Sequence, residues 1–259
     1  MSTYETFAIE RRDDGVALVR IDREEKRNAM SVAFFEDLPR VLDELDEDDG
    51  VRAVVLTGAG DEAFSAGGDI VSFQDLTTVA ASRRRLRLVY DAFHAVERAA
   101  KPVIAAVNGI AYGGGTELVL ASDLAIASDR ARFAFREPTV GLMPGYGVIR
   151  GPERIGPAWT RYLALTADPI DAAVAERIGL VQGVVPHEEL LPASLELAAR
   201  IASRAPLAVQ LGKAFINRTQ GPPGQAESIE ATALLFSTED HKEGVRAFIE
   251  KRSPRFEGR

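Results

Sequence analysis

Two strongly apolar runs, Val51–Thr57 and Val103–Val107, each lead into a glycine-containing loop. Apolar runs of this length, bounded by turn residues, read as strands buried on both faces. Phe7–Glu10 and Val16–Ile21 read as a strand pair around the turn Asp13-Asp14-Gly15. Leu124–Ala127 and Arg132–Phe135 read as two further short strands. Helical patterns lie between them. Ser31 caps a helix over Val32–Asp46, a second spans Ser82–Ala99, and a third starts after the second loop and covers Thr116–Ala121. Pro39 conflicts with the first of these helices. An interior proline costs about 3 kcal/mol, so a kink or break is expected there. Strands alternating with helices indicate an α/β fold.

The last third changes character. Ala158–Thr166, Asp171–Ile178, Glu188–Arg204, Pro206–Arg218 and Gln225–Arg252 read as helices, and only Val181–Val185 as a strand. The division expected is a core over residues 1–200 and a helical region over 201–259, packed on that core or on a neighbouring subunit. Gly221-Pro222-Pro223-Gly224 reads as a linker.

Composition removes several classes of function. Among 259 residues there is no cysteine, so disulfides, thiol nucleophiles and cysteine metal sites are excluded. The three histidines, His94, His187 and His241, are too far apart for zinc-ligand spacing, and no metal is expected. A net charge of −8 argues against nucleic acid as a partner. No apolar run approaches the ~20 residues that span a bilayer, and Met1–Arg12 holds no apolar signal segment. The expectation is therefore a cytoplasmic protein that binds neither membrane nor nucleic acid.

The loops carry the chemistry. The first reads Ala63-Phe64-Ser65-Ala66-Gly67-Gly68-Asp69-Ile70. It has neither the Gly-Lys-Ser/Thr of a phosphate loop nor a dinucleotide fingerprint. Ser65 lacks the setting of a nucleophile and reads as structural. The second, Asn108-Gly109-Ile110-Ala111-Tyr112-Gly113-Gly114-Gly115-Thr116-Glu117, joins a buried strand to a helix N-terminus, where free N–H groups favour an anion. Two such loops can aim two N–H donors at one oxygen, the requirement for stabilising an oxyanion or enolate. Glu117, in the first turn of that helix, reads either as an exposed charge–dipole partner or as a buried carboxylate. Its neighbours Leu118-Val119-Leu120-Ala121 favour burial and hence a raised pKa. Glu137, between Arg136 and Pro138, reads equally as a salt-bridge partner of Arg136 or Arg132 and as a second proton-transfer group.

These segments resemble the enoyl-CoA hydratase/isomerase, or crotonase, family from Val16 to Phe256. They occur in the family's order together with Glu25-Lys26-Arg27-Asn28-Ala29-Met30, Gly141-Leu142-Met143-Pro144-Gly145, Ala175-Glu176-Arg177-Ile178-Gly179-Leu180-Val181, and the run from Asp240-His241-Lys242-Glu243-Gly244 to Ala247-Phe248-Ile249-Glu250-Lys251-Arg252. The resemblance implies a spiral of ββα units with a C-terminal helical trimerisation region, hence a homotrimer or a dimer of trimers. It implies an acyl-CoA thioester as substrate, with coenzyme A entering only as part of it and no separate cofactor. Gly68 and Gly114 would supply the oxyanion N–H groups. Lys26, Arg27, Ala29, Ala66, Asp69 and Ile70 would line the CoA path, and Phe248 and Lys251 would reach the CoA of an adjacent subunit. Glu117 matches the first of the hydratases' two glutamates. Glu137 matches the second when counted back from Gly141, although the family's usual Pro-Glu is here Arg136-Glu137-Pro138. The activity implied is hydration of a 2,3-trans-enoyl-CoA, as in fatty-acid metabolism. A 3,2-enoyl-CoA isomerase, another family reaction such as hydrolysis or decarboxylation, and a non-catalytic acyl-CoA-binding protein are the alternatives.

Overall fold

A computed structural model describes residues 4–74, 76–218 and 225–254. The Gly221–Gly224 linker lies outside them. From the N-terminus, β1 (Phe7–Arg11) and β2 (Val16–Ile21) are followed by α1 (Val32–Glu47), β3 (Ala53–Gly58), β4 (Ala63–Ser65) and α2 (Val79–Arg98). Next come β5 (Val103–Val107), β6 (Ile110–Tyr112), α3 (Gly114–Ala121), β7 (Leu124–Ser128), β8 (Arg132–Ala134), α4 (Gly147–Arg154) and α5 (Gly156–Thr166). The chain continues through β9 (Ile170–Asp171), α6 (Ala172–Arg177), β10 (Gly183–Val185) and α7 (Leu190–Ala202). It finishes with α8 (Pro206–Arg218), α9 (Gln225–Leu235) and α10 (Glu239–Ile249).

The main sheet has the order β1-β2-β3-β5-β7-β10, parallel except for the β1–β2 pair. Alternation along its strands divides two cores. Val54 and Leu56 of β3 join the large cluster under α1 and α2, whereas Ala53 and Val55 face the other way and meet Leu190, Ala198 and Ala202 of α7. Both faces are covered, as a parallel sheet requires. A second, smaller sheet of order β4-β6-β8-β9 stands beside it. Strands β3, β5 and β7 each run into one of its members, β4, β6 and β8, before the next helix. That repeat is the spiral of ββα units.

The Ser31 hydroxyl caps α1 by accepting the Phe34 N–H at 3.2 Å. Of the kink or break expected at Pro39, no break occurs: α1 runs through it. Phe34, Phe35, Leu38, Val41, Leu42 and Leu45 are buried on either side of the proline. At roughly 1.5–3 kcal/mol per large apolar side chain, that burial outweighs the lost hydrogen bond.

The helical third departs from expectation in two ways. Residue 200 falls inside α7, which packs on the main sheet through Ala198 and Ala202. The single helix expected over Gln225–Arg252 is two. The chain turns at Phe236-Ser237-Thr238, where the Thr238 hydroxyl accepts the His241 N–H at 3.1 Å and caps α10. Lys213 anchors α8 through a buried ion pair with Asp123 at 2.7 Å and bonds to the Val96 and Lys101 carbonyls. The far side of α8 leaves Leu207, Leu211 and Phe215 exposed. Helix α10 docks on the 3-10 turn Glu137–Val140: His241 Nδ1 donates to the Val140 carbonyl at 2.9 Å, and a Cβ on Gly244 would lie 2.7 Å from the Val140 backbone. Glycine is what allows that approach.

Candidate active site

Met30 holds one edge of the first loop at its glycines. Met30 N–H donates to the Gly67 carbonyl at 2.8 Å and Asp69 N–H to the Met30 carbonyl at 3.0 Å. These bonds straddle Gly68. Successive peptide groups of extended chain point to opposite sides, so the Gly68 N–H is turned away from Met30. Ser65 supports the loop: its hydroxyl donates to the Asn28 carbonyl at 2.8 Å and accepts the Gly67 N–H at 3.1 Å. The structural reading of Ser65 holds. Buried Asn28 and Asn108 brace the turn between β3 and β4 through the Ala59, Ala63 and Gly60 carbonyls.

In the second loop Gly113 takes φ 51° and ψ −120°, a conformation closed to side-chain-bearing residues. Its N–H donates to the Ala134 carbonyl at 2.8 Å. Helix α3 starts two residues earlier than expected, at Gly114. The Thr116 hydroxyl fixes that start by donating to the Ala111 carbonyl and accepting the Ala134 N–H at 3.2 Å. A Cβ on Gly114 would stand 3.8 Å from the Gly68 nitrogen, so the two loops meet there. Among the described residues neither Gly68 N–H nor Gly114 N–H has a protein acceptor.

Both glutamates line the cavity in front of this pair, which encloses about 400 Å³. Glu117 is 5% exposed, and its Oε1 accepts the Gly147 N–H at the start of α4 at 2.8 Å. Burial pushes its carboxyl up to about 7, against the pull of the Gly147 and Tyr146 N–H groups. The exposed charge–dipole reading of Glu117 is therefore overturned. Glu137 opens the 3-10 turn on which α10 docks, and its Oε2 is enclosed without a partner among the described residues. Its carboxyl is raised by burial first and then by the neighbouring Glu117 charge. Among the described residues no ion pair holds it: Arg136 donates to the Ala167 carbonyl at 2.9 Å and lies over the Tyr112 ring, while Arg132 donates to the Ala131 carbonyl. Both carboxyls are held above the ordinary carboxylate range in one apolar pocket, so one can take a proton while the other gives one.

Of the residues assigned to the CoA path, Arg27, Ala66, Ile70 and Phe248 line this cavity. Phe248 lines the cavity of its own chain. Lys26, Ala29, Asp69 and Lys251 do not line it. Lys26 is exposed on a 3-10 turn, Ala29 receives a bond from Arg23 at 2.5 Å, Asp69 pairs with Arg23 at 3.3 Å, and Lys251 is exposed beyond α10. The rest of the wall is apolar and aromatic, with Phe35, Leu86, Val89, Phe93 and Tyr146 prominent. Sequence reading missed Tyr146 and Gly147; the Gly145-Tyr146-Gly147 run was the available signal. Among the described residues no cluster of potential metal ligands occurs, and no helix is long and apolar enough to cross a membrane.

Comparisons with known proteins agree with this geometry. The profile of the family described as enoyl-CoA hydratase/isomerase matches residues 11–259. The crotonyl-CoA hydratase of Syntrophomonas wolfei is 41% identical over 257 residues, covering 98% of each chain. The short-chain-enoyl-CoA hydratase of Clostridium acetobutylicum is 41% identical over 241 residues, covering 92% of each. The crystal structure of carnitinyl-CoA hydratase from Mycobacterium avium superposes with a TM-score of 0.87 at 38% identity, covering 99% of this chain and all of that one. The chain belongs to the enoyl-CoA hydratase/isomerase family.

Proposed function

We propose that this protein is an enoyl-CoA hydratase, adding water across the 2,3-trans double bond of an acyl-CoA thioester. The observation that carries this reading is the buried carboxylate of Glu117 and the half-buried Glu137 with its enclosed Oε2, beside two loop N–H groups that have no acceptor among the described residues. The thioester oxygen accepts from the Gly68 and Gly114 N–H groups, which stabilise the charge it gains as the enolate forms. One carboxylate takes a proton from water as its oxygen bonds to C3. The other, protonated, delivers a proton to C2 as the enolate collapses. The naming of the 41%-identical relatives as crotonyl-CoA and short-chain-enoyl-CoA hydratases supports a short acyl group. Arg27, Ala66, Ile70 and Phe248 contact the CoA moiety, with Lys26 and Lys251 offering charge to its phosphates.

Kinetics on crotonyl-CoA test the proton roles. Glu117→Gln and Glu137→Gln should each lower kcat by ~10²–10⁴-fold. KM, which reads the CoA contacts, should change by no more than about twofold. Full hydratase activity in Glu137→Gln would rule out the two-carboxylate mechanism. If Glu117→Gln alone were inactive and the protein shifted a 3-enoyl double bond without adding water, it would be an isomerase.

Burial of Glu117 also gives stability a pH dependence. Its pKa is about 7 in the fold against an ordinary 4.5, so the unfolded chain ionises first as pH rises. Stability present below about pH 4.5 is therefore lost progressively up to about pH 7. A Gln at position 117 cannot ionise and lacks this loss. Urea unfolding at pH 5 and pH 8 should show the Glu117→Gln variant gaining up to about 3 kcal/mol on the parent protein at the higher pH. Parallel behaviour of the two proteins would show that Glu117 is not held in an apolar setting.

The exposed stripe Leu207, Leu211 and Phe215 on α8 supports a homotrimer or a dimer of trimers, since an apolar face of this kind is covered in a stable assembly. Light scattering at micromolar concentration should give three or six chain masses. A stable monomer would contradict it.

A further inference from the structure

Glu97 lies in the last turn of α2 and is buried, away from the cavity wall. Among the described residues its carboxylate has two partners, and both flank the point where Glu117 is held. The Tyr146 hydroxyl donates to Glu97 Oε1 at 2.5 Å, and the Arg150 guanidinium donates to Oε2 at 2.6 Å. The Glu97 and Arg150 side chains are 9% and 4% exposed. Between Tyr146 and Arg150 sits Gly147, whose N–H donates to Glu117 Oε1 at 2.8 Å. The Tyr146 ring also rests on α2, with its centroid 5.1 Å from Phe93, 5.9 Å from Tyr90 and 5.9 Å from His94. Ring, hydroxyl and guanidinium thus all refer the start of α4 to α2. Asn217 of α8 holds the Glu97 backbone in turn, donating to its carbonyl at 2.7 Å.

A buried ion pair is a poor source of net stability, because desolvation offsets the attraction and apolar packing would serve as well. What it supplies is a fixed geometry, through a planar guanidinium and a directed hydroxyl. That geometry is spent at the peptide on which a catalytic carboxylate docks.

We propose that Glu97 is a positioning residue: by clamping Tyr146 and Arg150 it fixes the N-terminus of α4, and so the orientation of the Glu117 carboxylate towards the bound thioester. The proposal rests on the catalytic reading of Glu117. It assigns Tyr146 two tasks, walling the cavity with its ring and transmitting the position of Glu97 through its hydroxyl.

A double-mutant cycle on crotonyl-CoA hydration tests it. Glu97→Gln keeps the shape and removes the charge that grips Arg150. Misplacing a reacting group by ~1 Å can cost ~10²-fold, so Glu97→Gln should lower kcat roughly 10–100-fold. KM should move by less than about twofold, because the CoA contacts are untouched. In a Glu117→Gln background the same change should cost less than about threefold, since the group being positioned is already gone. An equal loss in both backgrounds would overturn the proposal and make Glu97 part of the general scaffold. Should Glu97→Gln fail to fold, Tyr146→Phe decides, since it keeps the ring and the Glu97–Arg150 pair. It should lower kcat about fivefold in the parent protein and less than about twofold in the Glu117→Gln background; an undiminished kcat in the parent, or an equal loss in both backgrounds, overturns the proposal. The single Glu117→Gln variant separates the two readings. If it retains full activity, the catalytic reading of Glu117 fails and takes the role of Glu97 with it. If it is impaired but uncoupled from Glu97, only the positioning role fails.

Discussion

Everything at this site depends on three short parallel strands holding two loops against each other. β4, β6 and β8 contribute three residues each, and their pairing leaves Gly68 and Gly114 face to face. Such strands have little stability of their own. They persist because each continues a strand of the main sheet that is buried on both faces, and because buried Asn28, Asn108 and Thr116 satisfy the backbone where the chain passes between sheets. The large core bears the energetic load, and the small sheet converts it into the placement of two N–H groups.

The carboxylates follow the same logic at a cost to stability. Glu117 is enclosed by apolar helix and held by a helix N-terminus, so its charged form is disfavoured by burial and partly restored by N–H groups. Glu137 lacks even that compensation at Oε2. An unpartnered carboxyl oxygen in a closed pocket is unfavourable for folding alone. In the mechanism proposed above, that oxygen is one of those that serve the attacking water. In the positioning role proposed for it, the Glu97–Arg150–Tyr146 clamp puts rigidity where proton transfer requires orientation.

Much of this was legible in the sequence because the strongest signals are local. Val103–Val107 is a strand with the bounds its apolar run indicates, Ser31 caps α1 as expected, and the apolar residues after Glu117 foretold its burial. What escaped were features without local signal. Ala63–Ser65, Ile110–Tyr112 and Ile170–Asp171 are too short to show a two-residue period, so the second sheet stayed hidden although the loops it carries did not. Gly147, Gly151 and Pro152 left α4 without a helical signal. The break between α9 and α10 has neither glycine nor proline to mark it and is set by the Thr238 cap and by docking on Val140. The choice at Glu137 between salt bridge and proton transfer needed three dimensions, because Arg136 turns to Ala167 and Tyr112 instead.

The central claim is that one oxygen is served by two N–H groups while one water is served by two carboxylates. A crystal structure with a bound 3-hydroxybutyryl-CoA thioester addresses it directly. The account places the thioester oxygen within hydrogen-bond distance, about 2.7–3.1 Å, of both the Gly68 and Gly114 nitrogens. It places the product's 3-hydroxyl between Glu117 and Glu137. A thioester oxygen bonded to only one of those nitrogens, or a hydroxyl out of reach of either carboxylate, would contradict it.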